Sequence, residues 1–245
     1  MGATDIICLI IFLTSGTIRL FKLIIDPLLL RDCAFYLRLA ENWNKTSDYY
    51  ELTRERVIVP PLPLWCIKTL IKLCGNAEIS GRSLSIFLGG LIPVIGFLLT
   101  KKITNNIRIS IVAAMCFIFH PQLVFYSTQP LRENFFILLV GLLLIAMVMN
   151  FNSPKTSRWL ICGAIVGTAF FCRYEALEFI IVIVAEMAFL NLNNNKSAPF
   201  FRSICFFFLA FVLTSCLLLF LCSDGDYSFM RIVGTYMKNV IGFLT

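Results

Sequence analysis

Long apolar runs separated by short polar segments dominate the chain. A helix needs roughly 20 apolar residues to cross the hydrocarbon core of a bilayer. On that measure spans are predicted at Thr4–Ile25, Ser83–Thr100, Ile109–Tyr126, Phe135–Met149, Trp159–Phe171, Ala176–Leu192 and Phe200–Cys222. Several are short, and Trp159–Phe171 reads as a partial or tilted insertion. The expected fold class is all-α: a polytopic membrane helical bundle of about seven spans, forming a single transmembrane domain over residues 1–245.

The largest polar region, residues 26–81, follows the first span, where Asp26-Pro27 breaks the helix. It holds two short helical patterns. Tyr36, Leu39, Ala40 and Trp43 recur at helical spacing and give one apolar face. After Pro60-Pro61-Leu62-Pro63, the segment Leu64–Leu73 is apolar apart from Lys68, Thr69 and Lys72, and is too short to span. Both read as amphipathic helices lying at the membrane surface. So does a C-terminal segment, residues 228–243, where Phe229, Ile232, Val233, Tyr236 and Val240 share a face.

Composition agrees with a lipid-embedded chain: 59% hydrophobic and 14% charged residues, with mean hydropathy +0.86. A net charge of +7 raises the question of nucleic acid. The basic residues are instead scattered through short loops, the pattern of a topology signal, so no nucleic-acid partner is expected. Lys101, Lys102 and Arg108 share one loop, Lys155 and Arg158 another, and Lys196 and Arg202 a third. The opposite side carries Asp32, Glu41, Asp48, Glu51, Glu55, Glu78, Glu133, Asp224 and Asp226. The positive-inside rule then puts the N-terminus in the cytoplasm and the loop 26–81 outside it. An integral protein of the cell (inner) membrane is expected, with a retained first span because no basic n-region or cleavage site is evident.

Ten cysteines show no metal or disulfide framework, though pairing among Cys33, Cys66 and Cys74 stays open. His120, before Pro121, reads as a satisfied membrane-buried polar group, and no metal or cofactor is expected. Arg19 and Lys22 lie near the end of the first span, where both can snorkel.

Chemistry is expected where charges sit at span ends. Asp32 precedes the first short helix, as an N-cap or as a carboxylate general base at the interface. Arg82, Arg132-Glu133 and Arg173-Tyr174-Glu175 stand at the outer ends of spans. Each group reads either as local ion pairing or, taken together, as a basic pocket at headgroup level. A guanidinium fork binds two phosphate oxygens at once, so a phosphate-bearing lipid is the natural ligand.

The order of these features resembles the GT-C fold glycosyltransferases. The nearest types are the protein O-mannosyltransferases and the aminoarabinose transferases of lipid A. The stretches that carry the likeness are Thr17-Ile18-Arg19-Leu20, Asp32 followed by Tyr36 and Ala40, Pro60-Pro61-Leu62, Gly81-Arg82, Gln129-Pro130-Leu131-Arg132-Glu133 and Phe171-Cys172-Arg173-Tyr174-Glu175. The resemblance implies inverting transfer of a sugar from a polyprenyl-phosphate donor to an acceptor (lipid, glycan or protein) outside the cytoplasm. Asp32 would be the general base. Arg82, Arg132, Arg173 and Lys68 would bind the donor phosphate, with Tyr36, Glu133 and Glu175 in support. Two positions depart from the pattern: Cys33 follows Asp32 where Glu is common, and Val59 stands where Lys or His is common. Lys68 or Arg56 could supply the missing phosphate ligand. Such relatives continue with further spans and often an outer C-terminal domain. A fragment, half of a split enzyme, or a degenerate copy that binds lipid without catalysis are the alternatives this opens.

Overall fold

The computed structural model describes residues 2–46, 61–152, 155–193 and 200–222, and the described residues are helical with no strand. The C-terminal segment 228–243, Asp48 and Arg56 lie outside them. The helices are α1 (Ala3–Ile25), α2 (Arg31–Thr46), α3 (Pro61–Cys74), α4 (Ala77–Thr104), α5 (Ile107–Phe119), α6 (Pro121–Ser127), α7 (Glu133–Asn152), α8 (Thr156–Phe170), α9 (Glu178–Asn193) and α10 (Phe200–Cys222). One 3-10 turn, Tyr174–Leu177, joins α8 to α9.

Four helices among the described residues are long and apolar enough to cross a membrane: α1, α4, α7 and α10. A fifth span results if α5 and α6, bent by 60°, are counted as one. The bend falls at His120-Pro121, where the proline cannot continue the preceding helix and instead opens the next. His120 is exposed there, and its Nδ1 accepts a hydrogen bond from the Leu123 amide at 3.4 Å. It serves as a helix cap within the bent pair, so its ring is engaged by the backbone of its own helix. The remaining two predicted spans are α8 and α9, at 15 and 16 residues. Their lengths of roughly 22–24 Å fall short of the hydrocarbon core. The expected number of about seven is therefore not reached by length and composition.

α4 is the central element, touching α1, α3, α5 and α7. It begins earlier than its apolar run because the Asn76 side chain caps it, accepting from the Ile79 amide at 3.0 Å. Arg82 thus lies inside the helix and does not open it. The two predicted surface helices are present and pack on each other. Leu39, Ala40 and Trp43 of the expected α2 face are buried against Leu64, Ile67 and Ile71 of α3, with Tyr36 at the edge of that cluster. α2 begins at Arg31, so Asp32 sits within its first turn and not at the N-cap. All ten cysteines are free.

Arg19 corrects the snorkelling expectation. It is fully buried. Its Nη1 donates to the Ser15 carbonyl at 3.1 Å and to the Ser15 hydroxyl, while Nε and Nη2 lack a hydrogen-bond partner. Gly89 leaves the room it occupies: a Cβ there would stand 2.9 Å from Arg19 Nε. Lys22 instead pairs with Asp26 at 2.7 Å.

The most extensive helix pair is α8 with α10. Gly163 and Gly167 on α8 set it, four residues apart and facing the other backbone. A Cβ at Gly163 would overlap the Phe207 carbonyl oxygen, and one at Gly167 would stand 3.0 Å from that of Phe211. Small residues at such spacing let membrane helices approach backbone to backbone. Gly163→Leu is expected to lower the thermal midpoint in detergent, by the equivalent of at least about 1–3 kcal/mol of overpacking. Gly16→Leu, where a Cβ meets nothing within 4 Å, should leave it nearly unchanged.

Candidate active site

Charged side chains from separate parts of the chain converge beside α2. The turn before α7 is built by backbone bonds from Gln129 N to Tyr126 O (3.1 Å) and from Leu131 N to Gln129 O (2.8 Å). It delivers Arg132 and then Glu133 to the start of α7, where a carboxylate is favoured by the helix dipole. At the end of α8, the Arg173 amide donates to Ala169 O at 2.8 Å, and the chain then turns into the Tyr174–Leu177 segment. This swings the Arg173 side chain back toward α7.

The result is a linked cluster. Arg173 Nη2 donates to Glu175 Oε1 at 2.7 Å. Arg173 Nη1 lies 3.6 Å from Glu133 Oε1, and Arg132 Nε is also 3.6 Å from that oxygen. The Arg173 guanidinium stands over the Phe136 ring at 5.5 Å. The short bond to Glu175 is the larger cause of an Arg173 pKa held above its ordinary value. For Glu175, burial pushes upward, but the bond from Arg173 and the neighbouring positive charges prevail and hold it below the carboxylate range. The Arg173–Glu175 pair therefore keeps its stabilising effect above the ordinary carboxylate pKa and loses it as pH falls through the depressed folded value.

The cluster is balanced in formal charge, two guanidinium groups against two carboxylates. Its capacity for an anion lies in uncommitted donors. The 3.6 Å contacts are longer than charge-assisted hydrogen bonds, and Arg173 Nε is buried with no hydrogen-bond partner. Glu133 Oε2 and Glu175 Oε2 are likewise buried and unpartnered.

α2 runs past this cluster. Tyr36 is half-buried, and its phenol feels Arg132, Glu133, Asp32 and Arg173, burial being the larger cause of its raised pKa. Asp32, one turn earlier, is exposed and makes no hydrogen bond or ion pair with any described residue. Between them, Cys33 is fully buried within reach of Asp32 and Glu133, and burial pushes its thiol up to about 12. That removes it as a nucleophile at neutral pH.

Six of the expected residues are thus brought together: Asp32, Tyr36, Arg132, Glu133, Arg173 and Glu175. Arg82 and Lys68 have other engagements. Arg82 is buried on α4, with Nε bonded to Glu78 at 2.8 Å and Nη2 to the Pro27 carbonyl at 2.6 Å. Lys68 is buried in the α2–α3 core, its Nζ 4.5 Å from the Trp43 ring centroid. Among the described residues, no three His, Cys, Asp or Glu side chains form a group that could hold a metal ion.

Two polar residues to which the sequence analysis gives no role tie the parts together. Gln129 is almost fully buried; its Nε2 donates to Leu28 O at 2.9 Å and its Oε1 accepts from Leu30 N at 3.2 Å. Asn134, also buried, donates to Tyr126 O at 2.9 Å and to Gln129 O at 3.3 Å.

A family model described as dolichyl-phosphate-mannose-protein mannosyltransferase matches residues 59–221. The chain belongs to that family. It is a membrane glycosyltransferase of the GT-C type, in a family that uses lipid-linked sugar donors. No curated protein sequence matches it. The matched stretch of the glycosyltransferase includes Arg82, Arg132, Glu133, Arg173 and Glu175. Asp32 and Tyr36 precede it, and they join the site through the fold.

Proposed function

We propose that the chain moves a sugar from a polyprenyl-phosphate donor to an acceptor hydroxyl on the extracytoplasmic face of the cell membrane, with inversion. The acceptor is a lipid, glycan or protein. Its oxygen attacks the anomeric carbon, the bond from that carbon to the phosphate oxygen breaks, and Asp32 takes the hydroxyl proton. Arg132 and Arg173 hold the departing phosphate, where negative charge develops and cationic donors are worth most. Glu133 and Glu175 keep the two guanidinium groups in place, and Tyr36 lines the space between them and Asp32. Arg82 and Lys68 support the site from behind, because Glu78, the Pro27 carbonyl and the Trp43 ring already engage their charged groups.

The observation that carries this reading is the exposed carboxylate of Asp32, without a hydrogen bond or ion pair among the described residues, on the helix that runs past Arg132 and Arg173. A base and a leaving-group clamp are what inverting transfer requires. Basic loops on the opposite side support the cytoplasmic N-terminus. The test is turnover of dolichyl-phosphate mannose by the full chain in nanodiscs, with the product anomer assigned by NMR. Formation of a mannoside of inverted configuration supports the reading; a retained configuration overturns the one-step mechanism.

A non-catalytic lipid-binding subunit is the second reading. The balanced charge of the cluster and Val59, at a position where the resemblance leads one to expect a base, favour it. Saturable binding of the same donor without turnover would establish it.

A further inference from the structure

We propose that Gln129 is a positioning residue that sets Asp32 against Arg132 and Glu133 by clamping the backbone of the segment between α1 and α2. The proposal rests on the reading of Asp32 as the base. The segment, Asp26–Leu30, has no helical hydrogen-bond ladder of its own and must carry Asp32 to the cluster. Gln129 spends both ends of its amide on it. The NH2 group meets the carbonyl of Leu28 and the carbonyl oxygen meets the amide of Leu30, so the polarity of the partners fixes the orientation of the amide. The arrangement imitates the pairing of two extended strands, with a side chain in place of one of them.

The lever arms are short. Asp32 follows Leu30 by two residues, and Arg132 follows Gln129 by three. On the Gln129 side the turn is braced: Asn134 bonds the Gln129 carbonyl from the first turn of α7, and the Leu131 amide bonds it as well. Arg82 holds the same segment one residue earlier, through the Pro27 carbonyl. A Cβ at Gly81 would come within 2.9 Å of Pro130 Cβ, so α4 also presses directly on this turn. Gln129 itself is almost wholly buried while Leu28 and Leu30 are exposed, so the two bonds are partly shielded from competing water. Misplacing a reacting group by ~1 Å can cost ~10²-fold in rate. Gln129 therefore acts on catalysis without touching substrate.

The test compares Gln129→Leu and Gln129→Glu in the full chain in nanodiscs. Two readouts are taken: hydrogen exchange over residues 28–35, and steady-state transfer from dolichyl-phosphate mannose. Gln129→Leu removes both bonds at similar volume. It should speed exchange in that window by about tenfold or more and leave α10 unchanged. It should also lower kcat by about 10–100-fold while donor KM moves less than twofold, because Arg132 and Arg173 are retained. Gln129→Glu keeps the acceptor for Leu30 and loses the donor to Leu28, so it should fall between the two. It carries the test if the leucine variant does not fold. Unchanged exchange overturns the clamp. Faster exchange with unchanged kcat, or with kcat and KM shifting together, overturns the positioning role. If the wild-type chain shows no turnover, the reading of Asp32 falls, while the exchange result still decides the clamp.

Discussion

Asp32→Asn is expected to reduce transfer by at least about 10²–10⁴-fold, with inserted protein at wild-type levels and donor KM little changed. The substitution keeps size and polarity and removes only the capacity to accept a proton. It should cost the fold little, because Asp32 is exposed in the first turn of α2 and bonds to no described residue. Asn is tolerated so near a helix start, where its side chain can still approach backbone amides. The loss should fall on kcat, since a base that acts only as the acceptor oxygen attacks contributes nothing to holding the donor. Steady-state kinetics with dolichyl-phosphate mannose in nanodiscs measure this directly. Activity within a few-fold of wild type would remove Asp32 from the role of base. The remaining carboxylates of the cluster, Glu133 and Glu175, are poor replacements, because each already faces a guanidinium group.

The parts of this molecule that could be read from its sequence are those set by local periodicity. The face of α2 was legible because Leu39, Ala40 and Trp43 recur at helical spacing, and all three are buried as that spacing requires. Pro61-Leu62-Pro63 marked the start of α3, since proline is tolerated in a first turn. The convergence of Arg132, Glu133, Arg173 and Glu175 could be anticipated from charges at span ends, which are costly unless paired. What local periodicity does not carry is an outcome decided by a distant residue or by a cap. Arg19 lies near the end of α1, so snorkelling was the local expectation, but the space left by Gly89 on another helix draws it inward. The role of Gln129 is not legible for the same reason: its two side-chain bonds reach 99 and 101 positions back along the chain. The start of α4 is not legible from hydropathy, which ignores a capping Asn76 that extends the helix beyond its apolar run. Arg82, expected to open its span, lies inside the extended helix, where Nε pairs with Glu78 and Nη1 stays without a hydrogen-bond partner.

Arg173→Gln is expected to lower kcat/KM by about 10²–10³-fold, the usual consequence of removing one donor to a developing negative charge. Arg173→Lys should recover only part of the loss. It restores the charge but not the planar fork, whose Nη2 engages Glu175 while Nη1 faces Glu133. A complication is that the glutamine variant also leaves two carboxylates without their shared cation. Glu133 Oε2 and Glu175 Oε2 already lack hydrogen-bond partners, and losing Arg173 would expose both to mutual repulsion and lower stability. The double variant Arg173→Gln/Glu175→Gln separates the two effects. Neutralising Glu175 together with its partner should return the thermal midpoint toward wild type, because the uncompensated charge is gone. Transfer should stay at the level of the single variant, because the lost donor is not replaced. Recovery of both in the double variant would make Arg173 a structural counterion for Glu175. The phosphate would then rest on Arg132 alone, too little for a clamp that must hold a dianion in one orientation while the sugar departs.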